Sequence, residues 1–185
     1  MTMLRAFCLS VLLLVSAAAL GNSRTAVVEQ YVNALGTQNY KAAAQLVRSR
    51  DLTDFKQAFV VLFRAEAQAG QSEFLKTVFG AKATLDDALN SPPDAFFAAV
   101  VQFVFSQASK VDVKLKTLPA MVLGEIPEGS EVVHVLARTS IVIGDVNTSK
   151  VEVFSLTQEG AQWKIVMPDQ LRGMGRAFQA RMLKR

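Results

Sequence analysis

The stretch that most constrains the fold runs from Glu131 to Asp145, EVVHVLARTSIVIGD. Its odd positions, Val133, Val135, Ala137, Thr139, Ile141 and Ile143, are apolar or small; its even positions include His134, Arg138 and Ser140. Such alternation gives a strand one face for a core and one wetter face, as in an antiparallel sheet covered on one side. Three neighbouring stretches read the same way: VDVKLKTL (Val111 to Leu118), SKVEVFSLTQ (Ser149 to Gln158) and QWKIVM (Gln162 to Met167). Turn residues separate them, namely Pro127, Glu128 and Gly129, then Gly144, Asp145 and Asn147, then Glu159 and Gly160. Four strands with short connections predict an antiparallel meander. In the third, Phe154 and Leu156 share one face while Val151 and Val153 share the other, and alternation alone does not say which looks inward.

Before this block the chain reads as helix. From Arg24 to Leu35, Val27, Val28, Tyr31, Val32 and Leu35 fall on one face, and Gly36 ends the run. Asn39 can cap a short helix from Tyr40 to Val47. Asp51 or Thr53 can cap a third from Asp54 to about Ala69, with Phe55, Phe59, Leu62 and Phe63 as its apolar face. Ser72 and Thr84 open two shorter helices that end near Gly80 and Asn90. Ser91, with Pro92 in the first helical position and Asp94 three residues on, starts a helix whose run AFFAAVVQFVF has only Gln102 as a polar residue. A helix apolar on nearly every side is buried, and it is expected to lie against the sheet.

Met1 to Ser23 reads as a secretory signal peptide. Arg5 precedes an apolar core from Ala6 to Leu20, and small residues place cleavage near Ala19 to Ser23. The apolar run is shorter than the roughly 20 residues of a membrane-spanning helix, so an exported product, periplasmic or secreted, is expected rather than an anchored one. The only cysteine, Cys8, lies in this leader, so the mature chain has no thiol for a disulfide, a nucleophile or a thiolate metal site. The remainder divides into a single α+β domain, residues 24 to 168, and a basic C-terminal tail, residues 169 to 185. The net charge of +4 is matched by the tail alone, which holds Arg172, Arg176, Arg181, Lys184 and Arg185 against Asp169. The fold itself is balanced, which argues against a nucleic-acid binder. Leu171, Met174, Phe178 and Met182 follow at steps of three and four, a basic amphipathic pattern suited to weak contact with an anionic membrane surface or an acidic partner; with Gly173 and Gly175 interrupting it, a frayed terminal helix or solvated tail is the first expectation.

An opening helix, a short second helix, further helices and then a curved antiparallel sheet form an order that resembles the nuclear-transport-factor-2-like (SnoaL-like) superfamily of α+β cone folds. The resemblance rests on VVEQYVNALGTQNYKAAAQLV (Val27 to Val47) and EGAQWKIV (Glu159 to Val166), whose Trp163 is a frequent feature of that group. It implies N-terminal helices packed on a curved four-stranded antiparallel sheet, a cystatin-like or cone fold. The helix-rich region Asp51 to Ser109 is then a helical insertion that fills or caps the cone mouth. Enzymes of the superfamily place a carboxylate with tyrosine or acid donors inside the cone.

Measured against that chemistry, Tyr31 lies on the apolar face of its helix, but no matching acid stands out; Asp112, Asp145 and Glu152 sit on strands or turns. His134 is the only histidine, which excludes a metal site built on several histidines. It shares the outer face of its strand with Arg138, and Glu152 is the cross-strand partner expected for it. No nucleophile elbow or phosphate-binding glycine loop occurs. No catalytic set, cofactor or metal site is therefore expected. Two candidate surfaces remain: an apolar pocket lined by Tyr31, Phe59, Phe63, Phe97 and Trp163, and the sheet face carrying His134 and Arg138. The first reading of function is an exported non-enzymatic module that binds a protein partner or pairs with itself as a homodimer. The second is a periplasmic carrier of a small apolar or lipid ligand, and the third a small-molecule isomerase or hydrolase of the cone-fold type.

Overall fold

The computed structural model describes residues 23–108, 115–143 and 146–182, which form seven helices and one four-stranded antiparallel sheet. The leader with Cys8, the strand start at Val111 to Lys114, and the turn residues Gly144 and Asp145 lie outside the described residues.

The sheet comprises β1 (Leu115–Glu128), β2 (Val132–Ile143), β3 (Val146–Glu159) and β4 (Gln162–Ile165), paired in that order. The alternation in β2 is realised as expected: Val133, Val135, Ala137 and Thr139 are buried. Phe154 and Leu156 lie opposite Val135 and Val133, and both are buried. The inward face of β3 is thus the one with Phe154, and Val151 and Val153 face out. The β2–β3 register is unbroken from Val132↔Thr157 to Ile143↔Val146, so Asn147 is strand and not turn.

β1 departs from expectation. It continues past Leu118 to Glu128, taking in Pro127 and Glu128, and the turn begins at Gly129 with φ 64°. Register shifts between Leu118 and Met121 and between Val122 and Gly124 break the period-two pattern that would have marked the strand. Pro119 is tolerated because β1 is an edge strand with an irregularity at that point.

The helices are α1 (Arg24–Gly36), α2 (Tyr40–Gln45), α3 (Ser49–Gln68), α4 (Glu73–Phe79), α5 (Leu85–Asn90), α6 (Pro93–Ala108) and α7 (Asp169–Met182). Asn39 caps α2, its side chain accepting from the Ala42 amide at 3.2 Å, and Thr84 forms a capping box with Asp87. Two starts differ from expectation. In α3, Asp51 and Thr53 lie inside the helix; its first amide, Ser49 N–H, reaches the Glu159 carboxylate at the end of β3 at 3.2 Å. In α6, the Pro92 carbonyl accepts from Phe96, which puts Pro93 in the first helical position.

The helix that lies on the sheet is α1, chiefly over β1, while α6 packs mainly against α2 and α3. Between the helices sits an aromatic core in which Phe55, Phe59, Phe63, Phe96 and Phe97 are at most 2% exposed. Their rings meet at 4.9–6.3 Å, as in the Phe55–Phe59 and Phe59–Phe96 pairs. α7 is part of this core. Phe178 meets Phe74 at 5.1 Å and Phe59 at 5.9 Å, while Leu171 and Met174 pack beside it. Those three side chains of the stripe are turned to the protein's own interior.

Besides the Ser49–Glu159 contact, several ties join the helical layer to the sheet and to the segment that follows β4. Arg24 donates to Glu125 of β1 at 2.8 Å while its guanidinium sits 4.8 Å over the Trp163 ring of β4, so one side chain touches both edge strands. Val47 bridges Ile165, with amides donating in both directions at 2.8 and 2.9 Å. Asp51, buried in α3, accepts from Arg48 at 2.7 and 3.1 Å and from the Met167 amide at 2.9 Å.

Candidate functional site

The residues expected to line an apolar pocket are dispersed. Phe59, Phe63 and Phe97 are buried within the packed ring cluster. Tyr31 is buried on α1 with its ring edge-on to Phe154 at 6.3 Å, and Trp163 lies half-buried beneath Arg24. A hollow of about 310 Å³ between α3, α4 and the start of α5 is bordered by Phe63 but by none of the other four. Its wall includes Glu66, 4% exposed, which accepts from the Phe74 and Leu75 amides at 2.7 and 3.1 Å and so caps α4.

Among the described residues, the inner face of the sheet carries a polar group of residues that the sequence pattern does not connect. Glu152 accepts from the Thr139 hydroxyl and pairs with Lys150 at 2.8 Å. It is half-buried and is not the partner of His134. Burial, and secondarily the negative charge of Glu152, push the Tyr31 hydroxyl well above the ordinary tyrosine value, so it stays protonated.

The outer face has a different character. Strand pairing sets three rows across it: Ile126–His134–Ser155, Gly124–Leu136–Val153 and Met121–Arg138–Val151. Ile126 is 55% exposed, Met121 51%, Val151 52% and Val153 61%. They account for four of the seven large apolar side chains left exposed among the described residues, and Leu123 in the neighbouring β1 irregularity is a fifth. Polar groups frame them. His134 Nε2 lies 2.6 Å from the Glu128 carboxylate and Nδ1 lies 3.0 Å from the Ser155 hydroxyl. Arg138 is exposed and has no ion pair among the described residues. The two residues expected on this face are there, two residues to either side of Leu136. The expectation lacked the β1 contribution, because Met121 and Ile126 fall where the register shifts hide the strand.

No family model matches the chain, and no curated protein and no solved structure matches it. The outer face therefore has to be read from its own chemistry: an apolar centre, the cation of Arg138 and one histidine–carboxylate pair. Among the described residues no group of three or more acidic, histidine or cysteine side chains is placed to hold a metal ion, and no helix is long and apolar enough to cross a membrane.

Proposed function

We propose that this chain is an exported, non-enzymatic α+β module, related to the cone folds, that binds a polypeptide partner through the outer face of its sheet. The observation that carries the reading is the set of cross-strand rows in which Met121, Ile126, Leu136, Val151 and Val153 form one apolar surface. Contiguous exposed apolar patches of this kind are uncommon on monomers and mark interaction sites. The partner that suits it presents apolar side chains to the centre and a carboxylate to Arg138, since a desolvated guanidinium needs an acid.

A photo-crosslinking residue placed at Met121 or at Ile126 in the expressed chain tests this, with Arg64 on the exposed side of α3 as the control position. A discrete polypeptide adduct is expected from both sheet positions and not from Arg64, and Leu136→Asp should abolish it while the fold, followed by circular dichroism, is retained. Equal labelling at all three positions would remove the proposal.

A further inference from the structure

β3 is longer than the strand beside it. β4 pairs only with Leu156 to Glu159, and the last link on that side is the Val166 amide donating to the Ser155 carbonyl at 2.8 Å. The chain then turns into the helical layer, where Asp51 holds the Met167 amide. From Asn147 to Val153 the edge of β3 has no backbone partner among the described residues. An open edge normally recruits another strand unless charge, proline or a bulge blunts it. The β3 register carries no bulge and the segment no proline, and its two charges, Lys150 and Glu152, offset each other in a 2.8 Å pair within the single copy.

The direction of the free groups follows from the register. The Ser155 carbonyl points to the β4 side, and backbone groups alternate along a strand. Asn147, Ser149, Val151 and Val153 therefore turn their N–H and C=O groups to the open edge. The side chains of Lys150 and Glu152, at the intervening positions, lie on the inner face with Phe154.

We infer that the free edge of β3 pairs with β3 of a second copy, antiparallel and centred on Val151, to give one continuous eight-stranded sheet. Centring on Val151 sets Ser149 opposite Val153 of the partner copy and Val153 opposite its Ser149. All of these positions have outward-directed backbone groups, so the three facing pairs exchange six N–H···O bonds, with Ser149 of the partner copy entering the hollow of about 250 Å³ between Val153 and the Val166–Arg172 segment. The same register sets Lys150 opposite Glu152 of the other copy, and Glu152 opposite its Lys150. Each charge meets its opposite across the two-fold axis, which is the self-complementarity an isologous contact demands. On the outer face, Val151 packs against its own counterpart, covering a side chain that is 52% exposed in the single copy. A register shifted by two residues either way loses this charge match, so the inference specifies one pairing.

Sedimentation equilibrium on the protein and its variants tests it. The wild type should dimerise. Val151→Pro deletes the central edge amide, which donates nothing to β2, and should leave a folded monomer. Lys150→Glu alone and Glu152→Lys alone set like charges opposite one another and should each weaken the dimer by roughly tenfold or more. Mixing those two variants in equal amounts restores both ion pairs and should return a heterodimer of near wild-type strength. A wild type that stays monomeric up to about 1 mM overturns the inference. So does a dimer indifferent to Val151→Pro, or a mixture no tighter than its components. These outcomes are separate from the crosslinking at Met121 and Ile126, which lie on β1, across the sheet from this edge.

Discussion

Asp51 accepts three hydrogen bonds while only 5% exposed, and two of its three donors are on Arg48. The third, the Met167 amide, has no other partner among the described residues and is buried. Replacing Asp51 by Ala leaves that amide unsatisfied, and a cost of about 1–3 kcal/mol is expected in urea denaturation. Tyr31 makes a prediction of a different kind. Its folded-state pKa lies above the ordinary value of 10.0, because burial and the charge of Glu152 disfavour the phenolate. The unfolded chain therefore ionises first as pH rises. Stability from this residue is present in full below pH 10 and falls as pH climbs above it. Tyr31→Phe should flatten the alkaline limb of a stability–pH profile and leave the neutral region close to unchanged. A profile that retains its full alkaline slope in the variant would assign the effect to other groups.

At the scale of elements, caps show what could be read in advance. Asn39 and Thr84 bond to amides three residues on, so the sequence displays both halves of each cap. The amides that open α3 and α4 are satisfied by Glu159, 110 residues away, and by Glu66 of the preceding helix. A local reading offers Asp51, Thr53 or Ser72 instead, since nothing in the sequence near Ser49 points to Glu159. β1 is hidden beyond Leu118 for a similar reason, as its two irregularities remove the alternation that identifies a strand, and with it half of the outer face. β2, regular throughout, places His134 and Arg138 correctly. α7 adds a prediction. Gly173 and Gly175 both cost a helix stability, but their surroundings differ. A Cβ on Gly173 meets nothing within 4 Å, whereas one on Gly175 would lie 2.9 Å from the Ala58 Cβ of α3. Gly173→Ala should stabilise by about 0.5–1 kcal/mol. Gly175→Ala should instead destabilise, by about 1 kcal/mol or more, because α7 must move off α3. Thermal melts of the two variants give opposite signs if α7 is docked as described.

For the whole molecule, the inter-helical aromatic core and the outer face of the sheet should respond to substitution very differently. Phe96→Ala in the aromatic core removes a ring that touches Phe59, Phe63 and Phe79, and a loss of about 3–5 kcal/mol is expected. Val153→Thr on the outer face alters a side chain that is 61% exposed and should change stability by less than about 0.5 kcal/mol, as measured by denaturant midpoint. A large loss from Val153→Thr would show that the outer face serves the fold itself.

The seating of α1 on the sheet also bears on how the chain comes together in time. Val27, Val28 and Tyr31 find their cover on strands that begin at Leu115, roughly 80 residues after α1 ends at Gly36. Synthesis at about 5–20 residues per second leaves several seconds in which the first helix has been made but its cover has not. During that interval the earliest apolar face of the domain is open to any chaperone that binds nascent chains, and the contacts of Arg24 on Trp163 and of Val47 on Ile165 wait for the final strand, with the docking of Phe178 on Phe59 and Phe74 later still.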